Sequence, residues 1–459
     1  MRILYTAHQF LPEHSSGTEI LTYQTARHFR SLGHEVAVFT GFPVSIPLED
    51  SARFDSYEYD GIHVERFLHA SVPMGGQFNV VEAEYNNLFA ARHLRKYVAE
   101  FQPDIVHFYH LGRLSASAID ACADVGIPMV FTATDFWPVC PMNQLRMPDH
   151  SPCTGPDMTG VNCLRHITTL TQPAAASSIL ARIPDSMVSL LLRAAAGGFL
   201  PNRWLIPHVQ ALYKRPAFLM DRFNKVQQVI VSTRLMRQIL EQNGLKREKI
   251  RHIPFGIDYT HIPRRTRTRT RHTLRLGFIG TLSEHKGPHI AIQAVRALPG
   301  NLPVELSVYG DPNTFPSYSE ELRCLASDDP RIVFAGTFPN WRVGEVLDSL
   351  DALLVPSLWH ENTPLVIHSA QAAGCPVVAS DHAGISEVVQ HGQNGLIFKP
   401  GNVTELAAHI EQLTSDHNLL PKLSAQALIP KSSSEYAAEL LNIYNAILAS
   451  RIQPAGCAP

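Results

Sequence analysis

Twice within 459 residues the chain runs from an apolar strand through a glycine-containing loop into an amphipathic helix and out into another strand. In the first round, ILYTA (3–7) leads to a helix ending at Gly33, in which Ile20, Tyr23, Ala26 and Phe29 recur at helical spacing, and then to EVAVFT (35–40). Parallel strands need a crossover long enough to hold a helix, so this alternation specifies a parallel sheet covered on both faces. It continues with strands at 104–108 and 129–132 separated by a helix to about Val125, a strand at 228–232, a helix ending near Asn243-Gly244, and a strand at 250–253. The grammar restarts with strand 274–279, helix 288–298, strands 304–309 and 332–335, and helix 343–350. Strands 352–355, 377–379 and 395–398 and a helix from Val403 complete it.

Two doubly wound α/β domains in tandem are therefore expected, 1–262 and 274–433, joined by an Arg/Thr-rich linker at 263–273. At roughly 150 residues per ordinary domain, the length agrees. Residues from about 140 to 223 fit neither alternation and read as an insertion of loops and helices, and a last helix within 434–459 is placed to cross back to the first domain. Ligands of such sheets lie outside the carboxyl ends of the strands. Two such sheets facing across a cleft suit a nucleotide on one side and a second substrate on the other.

With 45% apolar and 17% charged residues and a formal net charge of −2, the composition is that of a soluble globular protein and carries no nucleic-acid footprint. The basic run Arg264-Arg265-Thr266-Arg267-Thr268-Arg269-Thr270-Arg271 reads as a solvated linker, or else as a contact for an anionic lipid or acceptor. MRILYTAHQF enters a strand directly, so no secretory signal is expected, and no run reaches the ~18 apolar residues of a membrane span. Met187–Leu192 and Ala194–Leu200, interrupted by Arg193, read as a buried helix or a membrane-surface helix. The expected location is cytoplasmic, with at most peripheral association at the inner face of a membrane.

Three loops fall where ligands should bind. In His14-Ser15-Ser16-Gly17-Thr18-Glu19, Gly17 permits close backbone approach and the helix start favours an anion. In Gly280-Thr281-Leu282-Ser283-Glu284-His285-Lys286-Gly287, Lys286 offers an ammonium beside a helix start, which is phosphate chemistry. In PSLWHENTPLVIHSAQAAG (356–374), Thr363 is expected to cap a helix, Pro364 to occupy its first position and Gly374 to stop it.

Together these loops resemble the family-4 retaining glycosyltransferases of the GT-B fold. The likeness runs through SSGTE, GHEVAVFTG, DIVHFYH, FTATDFWPVCP, IPFGID and FIGTLSEHKG, and most specifically through PSLWHENTPLVIHSAQAAGCPVVASDHAGISEVVQHGQNGLIF. The resemblance implies two Rossmann-like domains, and transfer of a sugar from a nucleoside-diphosphate sugar to a glycan or lipid-linked hydroxyl acceptor without a cofactor. It further implies that Lys286 neutralises the donor diphosphate and that Glu361, first glutamate of a Glu-x7-Glu signature, lies near the donor sugar. Gly280, Asn362, Thr363, Pro364 and Leu365 would line the sugar and phosphate, and Gly17 would meet the diphosphate from the other domain. Three positions depart from the pattern: Ser369 stands for the second glutamate, Thr281 for an arginine, and Thr134 for a histidine, with Asp135 beside it. Asp135 either caps the turn before Phe136-Trp137-Pro138 or orients the acceptor and handles charge near its hydroxyl.

Cys140, Cys153, Cys163 and His166 have the ligand types and Cys-x2-His spacing of a structural zinc site; reduced, buried thiols are the other reading. Two further functions stay open: a nucleotide-sugar-binding relative with little turnover, suggested by the three departures, and a dinucleotide-dependent oxidoreductase, which the fold units alone would allow. Gly-x-Gly-x-x-Gly is absent from both first loops, which counts against the second.

Overall fold

The computed structural model describes residues 1–70, 73–147, 151–157, 160–172, 174–197, 206–268 and 272–452. The chain separates into two compact units, Met1–Pro254 together with the chain from Ser433 onward, and Phe255–Ser432.

Unit 1 holds β1 (Arg2–Ala7), β2 (Glu35–Pro43), β3 (Phe54–Tyr59), β4 (Ile62–His69), β5 (Ile105–Phe108), β6 (Met129–Ala133), β7 (Gln228–Val231) and β8 (Ile250–His252). They form one sheet in the order β3-β4-β2-β1-β5-β6-β7-β8. All neighbours are parallel except β3 and β4, and Leu4 of central β1 stands opposite Ala37 and Val106. The β3–β4 hairpin is not part of the alternation read from the sequence. Its signal is the Asp60-Gly61 pair, both at positive φ (48° and 67°), in a two-residue turn. The strand before it, FDSYEY, is too polar to announce itself because it lies at the sheet edge with no buried residue.

Unit 2 holds β9 (Leu274–Ile279), β10 (Val304–Tyr309), β11 (Ile332–Gly336), β12 (Ala352–Val355), β13 (Val377–Ser380) and β14 (Gly395–Phe398). Its all-parallel sheet has the order β11-β10-β9-β12-β13-β14. Leu276 of central β9 pairs with Leu306 on one side and Ala352 on the other; β12 and β13 are buried along their whole length, whereas β10 and edge strand β11 alternate buried and more exposed residues.

The helix Ser433–Ile452 is held in unit 1 by a buried polar network. His107 on β5 bonds the Tyr444 hydroxyl through Nδ1 (2.5 Å) and Thr132 Oγ1 through Nε2 (2.7 Å). The Tyr444 and Phe29 rings lie 5.4 Å apart.

The basic run departs from its reading as a solvated linker. Arg267 is only 2% exposed and donates to the carbonyls of Leu347 and Leu350, while Arg264 donates to those of Gln371 and Ala427. Arg265 pairs with Asp348 (2.7 Å). Leu347, Leu350 and Gln371 end the helices Val343–Ser349 and Leu365–Ala372, whose last carbonyls attract cations, so the alternating arginines serve as helix C-terminal partners. Residues 269–271 lie outside the described residues. The helix Asp185–Ala196 in the insertion buries Val188, Leu192 and Ala195 and exposes Met187, Leu190 and Leu191, so it is amphipathic rather than wholly buried. Residues 198–200 of that apolar segment lie outside the described residues, and no helix among the described residues is long and apolar enough to cross a membrane.

Candidate functional site

In unit 2 the strand order reverses between β9 and β12, the position at which ligands of such sheets gather. The loop after β9 carries Lys286 in a single 3-10 turn, Glu284–Lys286, and Gly287 at φ 72° starts the helix Pro288–Ala297. Any side chain at Gly287 would run into the Pro356 carbonyl oxygen in the loop after β12. Leu358 N–H donates to the His285 carbonyl (2.8 Å), so the two loops are locked side by side.

That lock sets Lys286 against Glu361. Lys286 Nζ, Ser357 Oγ and Trp359 Nε1 all donate to Glu361 Oε1, at 2.7, 2.7 and 2.8 Å, and the ammonium lies 5.0 Å from the Trp359 ring centre. Glu361 is 4% exposed. Burial alone would raise its pKa, but the Lys286 charge and the three hydrogen bonds outweigh burial and hold the carboxyl below the usual glutamate range. A third loop, after β13, closes over this one: a methyl at Gly384 would collide with the Glu361 carbonyl oxygen, and His382 and His360 meet with ring centres 5.5 Å apart.

The neighbouring helix begins one residue later than its sequence suggests. Thr363 adopts φ 54° and its hydroxyl approaches the Gly384 carbonyl (3.4 Å), so it is not the N-cap; Pro364 is, and the helix is Leu365–Ala372. The tight seat of the loop on Gly384 forces Thr363 into the left-handed region, which is incompatible with capping. Asn362 and Thr363 are buried beside Glu361, and no side chain caps the helix start. Ser369 Oγ is turned back onto the Leu365 carbonyl of its own helix (3.2 Å). Gly280 closes β9, its N–H bonded to the Tyr309 carbonyl, and the Thr281 carbonyl accepts from Ser283 N–H.

Gly17 and Asp135 belong to unit 1, where the sheet reverses between β1 and β5. Gly17 is the first residue of the helix Gly17–Ser31. Asp135 follows β6; its Oδ1 accepts from Trp137 N–H (2.9 Å) and its Oδ2 from His110 Nε2 (2.8 Å), so the carboxylate both caps its turn and holds an imidazole. Gly112 N–H donates to His110 Nδ1 (2.9 Å), which assigns the ring proton to Nε2. The His110 ring lies 4.2 Å from that of His8, and His8 Nε2 is 3.4 Å from Glu19, a fully buried carboxyl whose pKa burial raises. His8, Glu19 and His110 are candidate residues that sequence reasoning did not single out; His8 follows β1, Glu19 lies in the first turn of the next helix and His110 follows β5, and the strand order β1-β5-β6 brings them to Asp135. Thr134, where an imidazole was expected, instead donates to the Tyr109 carbonyl (3.1 Å).

The zinc expectation is not met in the geometry. Cys140, Cys153, Cys163 and His166 line one cavity of unit 1, yet among the described residues no three His, Cys, Asp or Glu side chains group closely enough to hold a metal ion. The thiols sit among apolar walls, including Val139, Leu145 and Ile167, and burial raises the pKa of Cys153 and of Cys163, the latter to about 12. Thiols of that character behave as buried apolar groups.

Two family descriptions match the chain, "Glycosyltransferase Family 4" over residues 15–184 and "Glycosyl transferases group 1" over residues 273–416. The chain belongs to the group 1, family 4 glycosyltransferases. Among curated relatives, it is 28% identical over 219 residues to the amylovoran biosynthesis glycosyltransferase AmsK of Erwinia amylovora, covering 45% of this chain and 52% of that one. It is 29% identical over 229 residues to the D-inositol 3-phosphate glycosyltransferase of Nocardia farcinica, covering 46% and 51%. The chain thus spans about half the length of the curated relatives it matches. Among solved structures, Anabaena HepE, crystallised with UDP and glucose, superposes with a TM-score of 0.64 over 97% of this chain and 99% of its own, at 16% identity. At that identity the match establishes the fold, which is GT-B.

Proposed function

We propose that this family member is a retaining transferase that moves a sugar from a nucleoside-diphosphate sugar to a hydroxyl acceptor in the assembly of an envelope polysaccharide or glycolipid. The observation that carries this reading is the Lys286–Glu361 pair, a part-exposed ammonium on a buried carboxylate, at the strand-order reversal of unit 2, beside two helix starts. Departure of a nucleoside diphosphate needs positive charge at the leaving group more than it needs a nucleophile, and an ammonium with oriented backbone N–H groups supplies that. Glu361, held ionised, is an acceptor for sugar hydroxyls and not a proton donor. In unit 1, Asp135, steadied by His110, orients the acceptor hydroxyl. The amylovoran relative and the UDP–glucose complex of HepE support the substrate class.

A thermal-shift screen against UDP, GDP, ADP and CDP and their common sugars, with and without chelator, tests the reading. Stabilisation by one nucleotide family, retained in chelator, is expected; no shift with any would overturn it. A second reading, a nucleotide-sugar-binding relative with little turnover, is favoured by Ser369, whose hydroxyl is spent on its own helix. Donor binding without transfer to any glycan or lipid-linked acceptor would select it.

A further inference from the structure

We propose that His382 is a specificity-determining residue which, with the free oxygen of Glu361, reads two hydroxyl groups of a neutral donor sugar. The inference rests on the donor-site reading above and adds the sugar class to it.

Three donors converge on Glu361 Oε1, and Oε2 receives none among the described residues. His382, 8% exposed, has the Ser357 backbone and the Glu361 carboxylate as electrostatic neighbours, and its Nε2 is buried with no partner among the described residues. Ser357 lies next to both groups, its hydroxyl donating to Glu361 and its backbone close enough to act on the His382 ring. Buried polar atoms are nearly always partnered, so an open ring nitrogen in a ligand-binding region marks where a ligand atom belongs. Burial, with the nearby His360, pushes the His382 pKa down to about 4, so at neutral pH the ring is uncharged. In the tautomer that carries its proton on Nδ1, Nε2 presents a lone pair.

Two acceptors in one place demand two donors from the ligand. Sugar hydroxyls provide them; phosphate oxygens do not, being acceptors themselves. The phosphates are thus left to Lys286 and the helix starts, and a uronate donor, although its ring hydroxyls still donate, is disfavoured against a neutral hexose because its carboxylate would approach the ionised Glu361.

Calorimetric titrations of the full chain and of His382→Val with UDP, UDP-glucose and UDP-glucuronate, GDP and GDP-mannose, and ADP and ADP-glucose test this. The wild type should bind one hexose form more tightly than its bare diphosphate, and where the base is uridine it should favour glucose over glucuronate. His382→Val should lose about tenfold of the sugar-dependent gain, the equivalent of about 1.4 kcal/mol, with the diphosphate affinity unchanged. His382→Gln, which keeps a side-chain acceptor, should recover part of it and stands in should the valine variant melt early. An unchanged hexose-to-diphosphate ratio in both variants, or an equal loss for diphosphate and hexose form, overturns the inference while leaving the donor site intact. Failure of every nucleotide to bind the wild type overturns the functional reading itself.

Discussion

Lys286 keeps a quarter of its side chain exposed, whereas Glu361 keeps one-twentieth, so the lysine is the mobile partner of the pair. Lys286→Ala should weaken nucleoside-diphosphate binding by about 1.5–3 kcal/mol, on the order of ten- to hundredfold, in calorimetry. It also strands a buried carboxylate, which should lower stability by about 2–3 kcal/mol, less than for a fully buried pair because the lysine is partly solvated. The pH sign follows from the lowered Glu361 pKa: its stabilisation is complete above the ordinary value of 4.5 and is lost as pH falls through the folded value. The melting-temperature gap between wild type and Lys286→Ala should accordingly narrow below about pH 4.5; a gap constant with pH would remove the ion pair as its cause. Glu361→Gln should depress kcat more than donor affinity, and equal losses would restrict the residue to ground-state binding.

At the scale of the elements, the site is three loops fixed against one another, and the contacts at Gly287 and Gly384 leave no room for a Cβ. Gly287→Ala combines a positive φ with a backbone collision, so it should cost at least ~1–3 kcal/mol and lower donor affinity by parting Lys286 from Glu361; a variant with wild-type melting and binding would show the loops to be compliant. Much of this was legible in the sequence. The strands 274–279, 304–309, 352–355 and 395–398 have the bounds their apolar positions gave; 352–355 is a continuous buried run, while 304–309 alternates buried Val304, Leu306 and Val308 with more exposed Glu305 and Ser307. Lys286 and Glu361 are singled out by motif alone, and the structure brings the two side chains into contact. The left-handed Thr363 was not legible, because the Gly384 contact that imposes it lies 21 residues away in sequence. Nor were His110 beside Asp135, His382 beside Glu361, or the buried Arg267, each a matter of which loops the strand order makes neighbours. The four-ligand zinc set, legible as spacing, does not assemble because spacing within a loop-rich insertion does not fix side-chain direction.

Across the whole molecule, buried neutral histidines set the acid limit. Burial lowers His107 in unit 1 to about 3 and His368 and His382 in unit 2 to about 4, from an ordinary 6.5. A depressed folded-state pKa means the unfolded chain binds the proton first, so stability is full above about 6.5 and falls as the pH drops toward 4. Loss of stability beginning near pH 6.5, before the carboxylates titrate, is expected in urea melts; a flat profile from pH 7 to 5 would exclude it. Tyr444→Phe should cost about 1–3 kcal/mol by leaving His107 Nδ1 buried and unbonded, an effect to be read in the unit 1 transition alone. The helix that carries Tyr444 has a further consequence. Because the chain leaves unit 1 after Pro254 and re-enters it at Ser433, unit 2 is one uninterrupted cassette while unit 1 is discontinuous. Grafting a foreign second unit onto this protein therefore requires two splice junctions, and a chimera made by a single crossover near residue 254 would bring a stranger's terminal helix to the His107 pocket.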